Sequence, residues 1–532
     1  MLSVLASLGE WAAATLVALR RRTTGGAVPV CEPGGAPVVI KGTAFPGDEK
    51  QNLLLPFEVR PGTARLEIDY DWESLPPAPP KNLLTQTIFD MGVWDEQGYR
   101  SADGFRGWSG SRHKHVFLQA DVAQRAYRPG PISPGTWHVD LGIAAVGPTG
   151  AEWTVAIRAR QEPDGPVATP PAADPVDPSH VARPEPGWYH GDFHMHAWHS
   201  NPKGPTPDEF VAFARAAHLD FLPVTEYVVG HHWGQYGEAQ RQNPDLVIWP
   251  GREIVTYHGH VQSLGETPGF VEFRHGFEDV SIGDIQAKVR ERGALFGVNH
   301  PTTFPGPLFQ NLCRGCEFEL GDQIDWDAVD TIEILTGEAL VDPGEYQLPD
   351  LGVKVPNPFF PSAVDLWESL LNRGHKITAV CGSDDKLGPK LGACATAVFA
   401  SELSRPALME AIRAGRAYVR ARGVAHSPAL DMRVEAPGQD AGTFGSVMVL
   451  DGPDAAASLN VAVTGGKGQS LALVRNGDEA SIVPVASDPF EHTFSIRRIP
   501  REGPLGTWYR VETFDTRGRT TIGNPVFLQG SA

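Results

Sequence analysis

Apolar and polar positions alternate with period two through most of the first third of the chain. Ala64-Arg65-Leu66-Glu67-Ile68-Asp69-Tyr70 shows the pattern, and Trp137-His138-Val139-Asp140-Leu141 and Trp153-Thr154-Val155-Ala156-Ile157 continue it. Turns such as Pro129-Gly130-Pro131 and Pro134-Gly135-Thr136 separate the runs. Period two places alternate side chains on opposite faces of a strand, so residues 29–160 are expected to form a β-sandwich. Residues 161–186 hold eight prolines and little that could build a core; they predict an extended linker. From 187 to 421 the texture changes to strand–helix alternation. Strands are expected at Trp188-Tyr189-His190, Asp220 to Thr225, Leu246 to Trp249, Leu295 to Val298, Thr331 to Leu335 and Lys376 to Val380. Thr206-Pro207-Asp208-Glu209 is a capping box with proline at the first helical position. A second helix is expected from Asp284 to Arg292, stopped at Gly293. Such units predict a parallel sheet, open or closed as a barrel. Period two returns after 422, which predicts a second β-sandwich over 422–532. Residues 1–28 read as an amphipathic helical segment: Leu2 to Leu19 is interrupted by Glu10 and followed by Arg20, Arg21 and Arg22. That charge order is the reverse of a secretory signal.

Composition narrows the function more than the fold. With 532 residues, several domains are expected, and Gly 58 with Pro 47 fits many turns and short strands. A formal net charge of −19 argues against a nucleic-acid partner. No apolar run is long enough to span a bilayer, so no membrane partner is expected. The five cysteines, Cys31, Cys313, Cys316, Cys381 and Cys394, are odd in number and scattered. That pattern fits a reducing, cytoplasmic location, with Cys313-x-x-Cys316 as a loop carrying two thiols rather than a zinc site.

Candidate metal ligands gather where strands are expected to end. They are His194 and His196, Glu253, His260, His300 and Asp384. Histidines at i and i+2 of an extended segment face the same side, so both imidazoles can reach one ion. At the C-terminal mouth of an α/β barrel, residues distant in sequence converge. Imidazole and carboxylate donors suit Zn, Mn or Fe, and a carboxylate can bridge two ions. Each motif alone has a bland reading: Asn299-His300-Pro301 as a capped turn, Gly382-Ser383-Asp384 as a turn, H-x-H as a structural pair.

At these residues the sequence resembles the PHP superfamily of metallohydrolases, in particular its CehA/McbA-like branch. The matching elements are Gly191-Asp192-Phe193-His194-Met195-His196, Pro250-Gly251-Arg252-Glu253 with Gly259-His260, Asn299-His300-Pro301 and Gly382-Ser383-Asp384. The block Gly104 to Gly110 with Pro134 to Trp137 resembles the β-domain that precedes the catalytic domain in that branch. The resemblance implies a central distorted seven-stranded β/α barrel, which with the N- and C-terminal β-sandwiches expected from the strand pattern makes a multidomain α/β and all-β protein. It implies one ion held by His194, His196, Glu253 and Asp384, and a second sharing Glu253 with His260 and His300. The histidines of a third site are missing, since the corresponding elements read Thr225-Glu226-Tyr227 and Asp384-Asp385-Lys386. Lys386 and Tyr227 either fill the space or, for Lys386, supply a fixed positive charge. His199, Glu226 and His258 are near enough in sequence to serve as substitute ligands or proton shuttles, and Asp192 is expected to orient a ligating imidazole.

The function expected from this set is hydrolysis of an ester-type bond (carboxylic ester, carbamate or phosphoester) of a small molecule, by a metal-bridged hydroxide at a two-metal site. Glu253, Asp384, Lys386, Glu226 and His258 are the candidate catalytic groups. The partner is then a small-molecule substrate, with homo-oligomerisation left open. The alternative is a non-catalytic ligand-binding protein on a degenerate scaffold of the same kind.

Overall fold

The computed structural model describes residues 27–78, 85–166, 168, 172–199, 201–265, 269–306, 313–346, 352–452, 455–499 and 503–530. The helical segment expected at 1–28 falls outside them except for its last two positions. The chain forms two compact units, Met1–Pro171 and Ala172–Ala532.

In the first unit, a five-stranded sheet runs in the order Val30–Cys31, Gln51–Val59, Gly135–Ala145, Ile88–Trp94, Phe105–Trp108. A four-stranded sheet runs Val38–Ala44, Ala151–Arg160, Arg65–Ser74, His115–Gln119. The alternation decides which faces meet. Leu55, Phe57, Val59, Trp137 and Val139 of one sheet share a core with Leu66, Ile68, Val155 and Ile157 of the other. Burying each such side chain contributes about 1.5–3 kcal/mol.

The second unit departs from the expected plan at both ends. Residues 161–186 are not a free linker throughout: Val176 packs in a core with Phe210, Tyr236 and Leu246, and Val181–Arg183 pairs with Leu403–Ser404. The C-terminal strands do form two sheets around one core. Ala429–Glu435, Ala456–Thr464 and Phe490–Arg497 supply Leu430, Met432, Leu459 and Val461 against Leu471, Leu473 and Val511 of the other sheet, but that other sheet is not separate from the rest of the unit. One continuous sheet runs from Thr378–Gly382 through Thr331–Thr336, Leu295–Val298, Gly259–Leu264, Val247–Thr256, Phe221–Tyr227 and Gly187–Gly191 to Ala395–Ala400 and Ala417–Arg420. It then continues into Gly518–Gly523, Thr507–Asp515, Ser470–Arg475 and Asp478–Pro484. Ala417–Arg420 would otherwise be a bare edge, and Gly518–Gly523 pairs with it. Ala397 and Tyr418 accordingly belong to the same core as Leu459, Val461 and Val511.

The sheet is also mixed rather than parallel. Val247–Thr256 and Gly259–Leu264 are antiparallel, with Thr256 opposite Gly259. Only two residues, Tyr257 and His258, connect them, and so short a link permits a hairpin but no crossover. Helices are few. Pro207–Ala216 carries the expected capping box at Thr206 and Glu209, and Ile282–Glu291 is capped by Ser281. Phe359–Arg373, which the hydrophobic pattern did not reveal, ends at Gly374 with φ 107°. No helix among the described residues is long and apolar enough to cross a membrane.

Two polar devices tie the C-terminal strands to the rest of this unit. The Asn524 side chain accepts from Ala379 N (2.8 Å) and donates to Ala379 O and Ala417 O (3.1 and 3.0 Å), standing in for a neighbouring strand. Arg510, 1% exposed, pairs with Glu368 of the Phe359–Arg373 helix and with Glu512, at 2.7 and 2.6 Å. Replacing Arg510 by Met would leave two carboxylates buried beside too little positive charge, at an expected loss of about 3–5 kcal/mol. Hydrogen exchange should show amides of the Phe359–Arg373 helix and the Thr507–Asp515 strand losing protection together. Loss confined to one of the two elements would show that they do not form a single cooperative unit.

Candidate metal centre

Every ligand predicted from the sequence converges. His194 and His196 follow the Gly187–Gly191 strand, and Asp384 follows Thr378–Gly382. The two segments are laced together: Phe193 N donates to Cys381 O (3.1 Å), Asp384 N to His194 O (2.8 Å) and His196 N to Asp385 O (3.0 Å). Gly382 permits this closeness, because a Cβ there would lie 2.6 Å from His194 N. Asp384 and His300 both adopt positive φ, 50° and 28°. For residues with a Cβ that conformation costs of order 1–3 kcal/mol and persists only where surroundings enforce it.

The first group consists of His194, His196, Glu253 and Asp384, with one donor atom of each within 4.8 Å of all the others. His194 Nε2 lies 3.2 Å from His196 Nε2, 3.3 Å from Glu253 Oε2 and 3.3 Å from Asp384 Oδ1. His196 Nε2 lies 3.3 Å from Glu253 Oε2 and 3.0 Å from Asp384 Oδ1. These are five of the six edges of a tetrahedron. Donors about 2.0–2.1 Å from one tetrahedral ion stand about 3.3 Å apart, so the atoms fit a single divalent cation. Glu253 Oε2 is buried and makes no hydrogen bond, as a ligand oxygen would be.

Glu253 faces two ways. Its Oε1 lies 2.7 Å from His260 Nδ1 and 3.2 Å from His300 Nε2. His260 Nε2 donates to Arg314 O at 2.7 Å, so in the neutral ring the lone pair is on Nδ1, the nitrogen that faces Glu253. A second group, His260, His300 and Cys316, again places one donor atom of each within 4.8 Å of the others. Cys316 was not among the expected ligands. It is joined to Cys313 in a disulfide, so this loop does not carry the two free thiols expected; the other three cysteines are free and buried.

Electrostatics follow from burial. Burial alone would depress the His194 pKa, yet Glu333, Glu253 and Asp384 outweigh it and hold the ring well above its ordinary value. For Asp384, burial is likewise overcome, by Lys386 and His194, and its pKa falls well below the carboxylate range. His260 is different: burial prevails over Glu253 and pushes it down, favouring the neutral ring that a ligand must be.

Other expected residues divide. Lys386 is brought in: its Nζ bonds Asp384 Oδ1 and lies 5.6 Å from the Tyr227 ring centroid, whose own ring sits 4.3 Å from His196. Glu226 is brought close as an organiser: Oε1 accepts from Ala197 N and His199 N (3.0 and 3.1 Å), and Oε2 lies 3.8 Å from His196 Nδ1. His199 packs against Trp198 and His231 rather than joining either group. His258 is in neither group. It sits in the hairpin turn and pairs with Glu319 at 2.7 Å. Asp192 does not orient an imidazole as expected. It accepts from the backbone N–H groups of His194, Ser383 and Gly392 (3.1, 2.8 and 2.9 Å), and burial lifts its pKa to about 6. His232 and Trp233 are buried and donate to Val224 O and Gly251 O.

The orienting role belongs to Glu333, which sequence reasoning missed. Its Oε1 accepts from His194 Nδ1 (2.9 Å) and Asn299 Nδ2 (3.1 Å); its Oε2 accepts from His300 N (2.9 Å) and Thr336 Oγ1 (3.0 Å). One carboxylate thereby fixes the His194 tautomer with Nε2 turned to the centre and clamps the backbone of His300. The available signal was a charged residue inside the apolar run Thr331-Ile332-Glu333-Ile334-Leu335.

No family model matches the chain, and no curated protein matches it. Solved structures similar in part include the following three. A two-domain Bacteroides vulgatus protein containing a predicted PHP-like metal-dependent phosphoesterase is 14% identical, covering 66% of this chain and 97% of its own, with a TM-score of 0.36. The lesion-specific endonuclease PfuEndoQ from Pyrococcus furiosus is 14% identical, covering 43% and 56%, with a TM-score of 0.28. PsfC from Pseudomonas syringae is 17% identical, covering 42% and 87%, with a TM-score of 0.24. At TM-scores this low the likenesses carry no argument about fold or chemistry.

Glu333→Gln keeps the volume but turns an amide toward the His300 N–H. Metal affinity is expected to fall about 10- to 100-fold, measured by equilibrium dialysis with Zn or Mn, with the far-ultraviolet circular dichroism unchanged. Affinity equal to wild type would show that Glu333 does not hold the ligands.

Proposed function

We propose that the protein is a metal-dependent hydrolase of PHP type that cleaves an ester-type bond of a small molecule at a two-ion centre. The observation that carries this reading is the division of the Glu253 carboxylate. Oε2 is shared with His194 and His196, and Oε1 with His260 and His300. His194, His196, Glu253 and Asp384 would hold one ion, and Glu253, His260 and His300 the other. On this reading the seven strands from Gly187–Gly191 round to Thr378–Gly382 correspond to a distorted barrel with its ligands at one mouth.

Divalent ions so placed lower the pKa of water and polarise a carbonyl or phosphoryl oxygen. The protein's own contribution is positional. Glu333 fixes one imidazole, Glu226 fixes the loop that carries His196, and Asp192 gathers three backbone N–H groups behind the first group. Lys386, paired to Asp384, sets a permanent positive charge beside the donors, where it would stabilise charge developing on an anionic transition state. Carboxylic ester, carbamate and phosphoester remain the candidate substrates. The degenerate-scaffold alternative is disfavoured by four carboxylates and four imidazoles brought together in one interior.

Protein purified without chelator is expected to carry about two ions per chain by plasma mass spectrometry. Glu253→Gln should lose both ions and all turnover on a panel of small esters, carbamates and phosphoesters. Full turnover by a metal-free Glu253→Gln variant would end this reading. Lys386→Met is expected to retain its ions but lose about 10²-fold in kcat. An unchanged kcat would reduce Lys386 to a space-filling group.

A further inference from the structure

We propose that Cys316 is a ligand of the second ion and that the Cys313–Cys316 disulfide is the redox gate controlling it. The proposal rests on the two-ion reading above. Its geometric basis is the grouping of Cys316 Sγ with one ring nitrogen each of His260 and His300, all within 4.8 Å of one another and all on buried residues. Without Cys316, the second ion has three protein donors: Glu253 Oε1, His260 and His300. A thiolate would complete a four-coordinate set of mixed nitrogen, oxygen and sulfur donors, an arrangement suited to Zn and other thiophilic divalent ions.

The loop is positioned for this by independent contacts. Arg314 O, between the two cysteines, accepts from His260 Nε2 and so sets the ring that would share the ion. Gly315 has φ 77°, and a Cβ there would lie 2.1 Å from Thr256 O. The turn is thus pressed against the end of the strand that carries Glu253, and only glycine fits. Cys316 is 3% exposed, whereas Cys313 is less buried and is in neither ligand group. The two sulfurs therefore differ in role: one faces the ligands, and the other is the partner through which the first is withdrawn.

The chemistry balances with a dithiol reductant. Its two thiols pass two electrons and two protons to the disulfide. The Cys313–Cys316 bond breaks, two protein thiols form, and the reductant becomes a disulfide. Cys316 then releases its proton on coordinating the ion, since the thiolate is the ligand form. Cys313 keeps its proton. Reoxidation by a disulfide oxidant reverses each step and withdraws the fourth donor.

The test uses the full chain stripped of metal, either oxidised or reduced with a dithiol that is removed by gel filtration, and then titrated anaerobically with Co(II). Reduced wild type is expected to bind two Co(II) and to develop near-ultraviolet thiolate-to-cobalt charge transfer. Oxidised wild type and reduced Cys316→Ser should lack that band while keeping the visible d–d absorption of the remaining ligands. Cys313→Ser, which cannot form the disulfide, should show the band without reduction. Two Co(II) bound by reduced wild type with no charge-transfer band overturns the Cys316 assignment and leaves the two-ion reading standing. A band that survives in Cys316→Ser also overturns it. Uptake of no Co(II), or of a single ion in every form, overturns the two-ion reading and this proposal with it.

Discussion

A carboxylate sealed from water between four imidazoles is the constraint on which the second unit is organised. Glu253 is 1% exposed, and Glu226 and Glu333 are as deeply buried around it. Ionised groups in such surroundings persist only with compensating positive charge or a full set of hydrogen bonds. Here the compensation has three sources: charge on imidazoles such as His194, the Lys386 ammonium, and backbone N–H groups aimed at Glu226, Glu333 and Asp192. Divalent cations would supply more charge at the same point than protons do, and would take the place of those on His194 and His196. The geometry agrees, since the donors already stand at the separations one tetrahedral ion demands.

Holding donors to that tolerance requires a rigid frame, and the frame lies largely outside the ligand set. Segment 193–196 is laced to 381–385, and the Thr378–Gly382 strand is in turn pinned by Asn524 from the far end of the chain. Arg510 anchors the helix that packs on the Thr331–Thr336 strand, which carries Glu333. The C-terminal strands are therefore part of the frame that positions the candidate ligands. Positive φ at His300 and Asp384 is the local counterpart: the backbone is held where an isolated chain would not stay, at the points where two ligands leave their strands.

The six candidate ligands were legible as short motifs, although only His194, His196, His300 and Asp384 follow strand ends; Glu253 lies within Val247–Thr256 and His260 near the start of Gly259–Leu264. Glu333 was hidden because a lone glutamate within a strand has no motif; its importance lies in partners such as His194, Asn299 and His300, which only the fold assembles. His258 misled for a related reason. It precedes His260 by two residues and would share its face on a continuous strand, but the hairpin turn at Tyr257 and His258 and the positive φ of Gly259 break the alternation. The merging of the C-terminal strands into the long sheet could not be read either. Period two states that a segment is a strand and which face it buries, and it is silent on which strand will pair with it. The Cys313–Cys316 bond was missed because a four-residue spacing is the same for two thiols, a disulfide or half a zinc site.

Lys386 shows how charge and reactivity separate at such a centre. Its ammonium is tethered to Asp384 and flanked by Tyr227, so the region beside His196 carries positive charge that cannot leave when solution metal is scarce. That charge can attract and stabilise an anion. It has no empty orbital, however, and neither activates water nor accepts a lone pair as a divalent ion would. A lysine in this position thus preserves electrostatic help and forgoes Lewis acidity. A phosphate monoester places more anionic oxygen on the centre than a neutral ester or carbamate does, and it gains most from a further ion that a lysine only partly replaces. On the proposed two-ion reading, esters with a single developing oxyanion would be the substrates better matched to two ions and one ammonium.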